Sequence, residues 1–315
     1  EEKIKTKFYF RQLKMKNMKT KHIFAFGLLV SMLQISNAQI TNWEFGLMGG
    51  ISNYVGDINS MFKKGDDYKE WNQFESSFNF YNAHFMGGII ARYNFNPRWA
   101  LKGSVLFGKL SGDDAHFENE RNLRFHTGIQ ELALTAEYNF MDYRTGTKQH
   151  RFTPYLFGGI SVFHFNPKTE ILDPIEQEEI TVNLHDLNTE GQGLIKDRDN
   201  YKLVQIAIPF GVGVKFSLST YTCIGLEWGF RKTFTDYIDD ISTTYVDRNT
   251  LTSYAGEQAA TAADRTNELE GYQGQYHKDG EMRGNKSTKD WYNFVGITFT
   301  TKISSGRSKC IRARN

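Results

Sequence analysis

Cysteine is almost missing from this sequence. Two residues, Cys223 and Cys310, cannot build a disulfide scaffold or fill a multi-cysteine metal site. The eight histidines form no HExxH pair or comparable ligand spacing. No apolar run after residue 38 is long enough for a membrane-spanning helix. Proline is scarce, at 5 residues, while glycine reaches 28 and aromatics 15%. A basic body is missing too. The 315 residues carry a formal charge of +2, but residues 1–38 hold eight Lys and Arg against Glu1 and Glu2. That leader is +6, so the remainder is +2 − 6 = −4. The positive balance gives no argument for nucleic-acid binding.

What is present begins at the N-terminus. Residues 1–17 read as an upstream extension, because MKTKHIFAFGLLVSMLQISNAQ from Met18 has the order of a secretory signal peptide. Lys19, Lys21 and His22 form a basic head. Ile23 to Ile35 are mostly apolar and too few to span a bilayer. Ser36-Asn37-Ala38 offers small residues for cleavage after Ala38. The competing reading of this stretch is a buried N-terminal helix.

The rest of the chain is written in period two. From Tyr201 to Ser219, Val204, Ile206, Ile208, Phe210, Val212, Val214, Phe216 and Leu218 share one parity. Gln205, Ala207, Pro209, Gly211, Gly213, Lys215 and Ser217 share the other. Strict alternation marks a strand, and this one is long enough for a tilted membrane crossing. Ile129 to Met141 repeats the pattern. Six less pure segments lie near 43–52, 84–95, 99–110, 152–163, 223–235 and 291–302. The segment at 152–163 is apolar on both faces. Long and short connections alternate, with short turns at 96–98, 142–151 and 219–222. Eight strands joined this way predict an all-β fold, an antiparallel transmembrane β-barrel of OmpX/OmpA type over 39–303 with long extracellular loops. The mean hydropathy of −0.53 is no objection, because such strands hide their hydrophobicity in every second residue.

A lipocalin would present the opposite faces, apolar inside and polar outside. Here the polar parity holds Glu44, Arg92, Lys102, Glu131, Glu137, Lys215, Glu227 and Arg231, four acids and four bases. Mixed charge suits a narrow lumen filled by paired side chains. The apolar parity, with Trp43, Tyr93, Trp99, Tyr138, Phe140, Phe216 and Trp291 near strand ends, suits outer-membrane lipid and its interfaces. A lumen filled with ion pairs argues against a porin.

Candidate chemistry is thin. Asp236, Asp239 and Asp240 could bind calcium, but the EF-hand pattern is missing, and a solvated rim is the simpler expectation. His84, His126 and His164 fall at strand ends, where a lipid-acting enzyme would need them. Cys223 and Cys310 could meet in an oxidising compartment. Residues 304–315 form a tail with Arg307, Lys309, Arg312 and Arg314, either a site for an acidic partner or anionic lipid, or a solvated end.

Several stretches, in order, resemble the PorG-like outer-membrane barrels of the type IX secretion system. They are WEFGLMGGISNYVGDIN (43–59), GIIARYNFNPRWALKGSV (88–105), IQELALTAEYNF (129–140), TPYLFGGISVFHFNP (153–167) and TFTDYIDDISTTYVD (233–247). NYVGD and TDYIDDIS are the specific parts. They single out Asn53, Tyr54, Gly56, Asp57, Thr235, Asp236, Tyr237, Asp239 and Asp240 at the outer rim. The resemblance implies a non-enzymatic barrel without cofactor, nucleic acid or small-molecule substrate. It implies a link from the outer membrane to a periplasmic ring of PorK- and PorN-like proteins, with partners on the short turns and tail; the even count of eight strands puts both termini in the periplasm. The alternatives are a stand-alone OmpX-like surface barrel or adhesin, and a lipid-modifying outer-membrane enzyme.

Overall fold

The computed structural model describes residues 43–58, 82–117, 121–173, 178–269, 271 and 274–303. The signal segment with its cleavage after Ala38, and the basic tail, lie outside the described residues. Eight strands form a closed wall: β1 (Trp43–Val55), β2 (His84–Asn94), β3 (Trp99–Asp113), β4 (Arg124–Asn139), β5 (Phe152–His164), β8 (Val204–Ser217), β9 (Thr222–Thr233) and β10 (Trp291–Lys302). Every neighbouring pair is antiparallel, and β1 closes the ring on β10 from Glu44↔Lys302 to Val55↔Trp291. Two five-residue strands, β6 (Lys168–Leu172) and β7 (Glu179–Asn183), form a hairpin that joins β4 through His126↔Lys168. Among the described residues no helix is long and apolar enough to cross a membrane.

Burial settles which way the wall faces. On β5, Ile160 is 64% exposed and the adjacent Ser161 is 2% exposed. On β8, Val212 and Val214 are exposed while Lys215 is fully buried. Apolar side chains line the outside and charges the inside, the reverse of a lipocalin and the arrangement a bilayer requires. The ambiguous β5 resolves the same way, with Tyr155, Phe157 and Phe163 inward and Leu156, Ile160 and Val162 outward. Glycine makes room for these inward rings. A Cβ on Gly213 would lie 2.5 Å from the Tyr155 ring carbon that bears the hydroxyl, so the tyrosine can lie across the neighbouring strand. At the short-turn end, Trp43–Tyr93, Tyr93–Phe95 and Trp99–Tyr138 each have ring centroids 5.0 Å apart, forming an aromatic belt.

Two differences from the sequence reading concern the long-loop end. β4 starts at Arg124, not near 129, because RFHTG carries mixed polarity outward and hides its alternation. The long excursions are also folded. Besides the β6–β7 hairpin they contain α1 (Leu184–Leu187), α2 (Arg248–Ala255) and α3 (Glu257–Ala263). Asp247 caps α2 by accepting from Thr250 N at 2.9 Å, a local signal that was present in the sequence. Ile238 and Ile241 from the 236–290 connection share a core with Ile58, Phe125, Phe165 and Ile171. The excursions therefore make a packed cap, continuous with the top of the barrel.

Candidate functional site

The parity that turns Lys215 inward turns all eight wall charges inward, each at most 3% exposed. Moving such charges out of water is costly unless they pair closely. Glu137 is the hub: Arg92 Nε lies 2.9 Å, Lys215 Nζ 2.7 Å and Lys102 Nζ 3.6 Å from its oxygens. Arg92 also donates to Glu44 at 3.0 Å. Lys102 bridges to Glu227 at 2.5 Å, and Glu227 accepts from Tyr155 at 2.7 Å. Arg231 pairs with Glu131 at 3.1 Å, which also accepts from Tyr292 at 2.6 Å. The network crosses the lumen from wall to wall and fills it.

The second site is the cap. TDYIDDIS leaves β9 and turns back over the barrel mouth, while NYVGD ends β1 beside it. The two stretches touch. Tyr54 Oη lies 2.7 Å from Asp239 Oδ2 and 2.7 Å from Oδ1 of Asp290, the residue before β10. Asp239 also accepts from Ile58 N at 3.1 Å and Ile241 N at 3.0 Å, and Asp290 accepts from Ile238 N at 2.8 Å. Gly56 has no side chain because a Cβ there would sit 1.7 Å from the Tyr54 oxygen and 2.2 Å from Asp290. A tyrosine hydroxyl has one proton to donate. With carboxylates on both sides, the second contact is favourable only if one carboxyl is protonated and donates to the Tyr54 oxygen. Burial pushes Asp239 up to about 8 and raises Asp290 well above the usual carboxylate range.

The other motif acids are equally enclosed. Asp236, Asp239 and Asp240 are 3%, 1% and 0% exposed, so the expected solvated rim is wrong. Covering excursions bury them. Asp236 accepts from Ser242 Oγ at 2.7 Å, and burial lifts it to about 7. Asp57 accepts from Asn285 N at 2.7 Å and is likewise lifted by burial to about 7. Asp240, held at φ +67°, accepts from Tyr201 Oη at 2.7 Å and from the Thr189 hydroxyl. Tyr237 stacks on Tyr201 with centroids 4.7 Å apart, Thr235 O accepts from Asp290 N, and Asn53 is buried in the wall opposite Asn293. Among the described residues no three His, Cys, Asp or Glu side chains are set to hold a metal ion.

A protein-family model described as a domain of unknown function, DUF6089, matches residues 21–186, more than half of the chain. The chain belongs to this family. No curated protein matches it. Among solved structures it is similar to the N-terminal β-barrel domain of Pseudomonas aeruginosa OprF, at 11% identity over 83% of this chain and 99% of that one, TM-score 0.31. Neisserial surface protein A is similar at 9% identity over 84% and 98%, TM-score 0.36. Ail of Yersinia pestis in complex with sucrose octasulfate is similar at 8% over 82% and 98%, TM-score 0.32.

This DUF6089 member also uses residues that sequence reasoning passed over. Glu190, fully buried, accepts from Ser242 N at 2.9 Å, from Thr243 Oγ1 at 2.6 Å and from Arg283 Nη1 at 3.1 Å. Arg121 donates to Asp114 and to Asp57 O. Nothing in the local sequence marks these partners, since each is chosen across more than 50 residues or by a turn without period. Of the strand-end histidines, His84 Nε2 is 2.6 Å from Ser111 Oγ and His126 Nδ1 is 3.2 Å from Glu170. Cys223 is buried in the wall, and Cys310 lies outside the described residues.

Proposed function

We propose that this outer-membrane barrel is a non-enzymatic structural component of a type IX protein secretion machine. It links the outer membrane to a periplasmic ring of PorK- and PorN-like proteins. In this reading the termini and the three short turns face the periplasm, and the cap faces outside. One observation carries it: NYVGD and TDYIDDIS, the stretches on which the resemblance rests, meet through Tyr54 and Asp239 at 2.7 Å. The filled lumen supports a scaffold over a pore.

The test is recovery of the tagged barrel from solubilised outer membranes. Ring proteins should co-purify with it. Truncation after Gly306 should leave barrel assembly intact but reduce both their recovery and cargo export. A barrel that brings down no ring protein would sink the reading. The ordered acidic cap favours a second reading, a stand-alone OmpX-like surface barrel. Export that survives tail loss but fails when the cap is disrupted would support that alternative.

A further inference from the structure

The two ends of the barrel differ in sign. At the short-turn end, residues 95–98, 140–151, 218–222 and 302–303 hold five bases (Arg98, Arg144, Lys148, Arg151 and Lys302) against Asp142, a net of +4. Asp142 is occupied, 2.5 Å from Arg98 Nε. The described connections at the other end hold twenty acids and eleven bases, a net of −9. Between the β2–β3 and β4–β5 turns of the basic end lies a cleft of about 540 Å³, lined by Pro97, Asp142, Arg144, Lys148 and His150 among others.

We propose that this short-turn end is a docking plate for an acidic segment of a soluble protein, seated in that cleft. The turns are set in advance. Tyr143 N donates to Pro97 O at 3.2 Å, Asn139 Nδ2 to the same oxygen at 3.0 Å, and Arg144 N to His150 O at 3.0 Å. Ordering the site beforehand removes part of the entropic cost of binding. The β4–β5 turn also crosses the barrel mouth. Tyr143 and Thr145 are buried, Thr145 Oγ1 donates to Glu44 at 2.5 Å, and Gly146 N donates to Ser217 Oγ at 2.9 Å. With those groups turned into the lumen, the exposed Arg144 and Lys148 face the water beyond the aromatic belt. That position selects a soluble partner over a lipid headgroup. The chain's own tail is excluded as occupant, since its Arg307, Lys309, Arg312 and Arg314 have the same sign. An acidic segment is attracted to this end, which raises the encounter rate and makes binding salt-sensitive.

The proposal rests on the reading above for the compartment, but its test needs no ring protein. The probe is a fluorescent oligoglutamate peptide, titrated by anisotropy against the full-length barrel in micelles. Heat-modifiable mobility checks the folding of each variant. R144E/K148E should weaken binding about tenfold, the effect of reversing two exposed charges. High salt should weaken the wild type similarly, and K278E/K286E on the cap should change little. Absence of peptide binding, or equal loss from both double variants, would overturn the plate. Phosphatidylglycerol vesicles that displace the peptide through Arg144 and Lys148 would overturn it in favour of lipid. If the peptide binds while no ring protein is ever captured, the secretion reading fails and the plate stands.

Discussion

Inside the wall, Glu137 lies within 3.6 Å of three cations, and the four acids of the lumen face four bases. Above the wall, Asp239 and Asp290 share one tyrosine hydroxyl and otherwise accept from backbone N–H groups. Both regions bury carboxyl groups to about the same extent. They neutralise them differently. The lumen sets each acid against a cation fixed on a facing strand. The cap has buried acids in excess over Arg121, Arg265 and Arg283, and it makes up the difference with protons. The first device favours a rigid wall, and the second leaves the cap responsive to its surroundings.

The comparison breaks first in the lumen. Glu137→Leu leaves Arg92, Lys102 and Lys215 short of a countercharge and should cost about 3–5 kcal/mol. Urea unfolding in micelles would measure it, with Arg98→Ala, at an exposed pair, expected within about 1 kcal/mol. Equal losses would refute a stabilising ionic interior. Next comes the outer face. Ile208→Arg points a charge at lipid and should cost roughly 2–4 kcal/mol. Ala207→Ser, one residue away and fully buried, should be mild. Its cross-strand neighbour Ser161 has a buried hydroxyl without a partner among the described residues, which the new hydroxyl can satisfy. In the cap, Tyr54→Phe removes the bridge between two carboxyls and should cost about 1–3 kcal/mol, the penalty for unsatisfied buried groups. Its effect should appear in protease sensitivity of the 236–290 connection before any loss of the barrel band on gels.

The wall was open to sequence reading because its rule is local. Each of Val204 to Phe216 declares its side by the identity of its neighbour, and a charge on the minority parity must then face the lumen. The cap follows no such rule. TDYIDDIS looks like a solvated exit because three acids stand within five positions. Its burial is decided by Ile58, Phe165, Tyr201 and Arg283, which lie far away in the chain. The hairpin β6–β7 is not legible in the sequence, because five residues give too little alternation to mark a strand. What resemblance singled out as two separate stretches, folding joins at a single tyrosine.

The smallest effect separates the two devices most sharply. Asp239 sits at about 8 in the folded cap, against about 3.9 for an ordinary aspartate. The folded state therefore holds more protons than the unfolded one between those values, and cap stability must fall as pH rises. The contribution is complete below about pH 4 and is lost as pH passes through about 8, with roughly 1 kcal/mol disappearing between pH 7 and 8. Asp57 and Asp236, at about 7, add to the same slope, while Arg121, Arg283 and Lys289 oppose it by attracting the carboxylates as they form. Amide exchange at Ile238 and Ile241, which donate to Asp290 and Asp239, would report this directly after correction for base catalysis. Protection there should drop between pH 6 and 9, while amides of the β8–β9 wall hold steady. Asp239→Asn keeps an acceptor but has no proton to lose, so its cap should show a shallower slope. Cap protection that stays flat to pH 9 in the wild type would mean the carboxyls are held by something other than a shared proton.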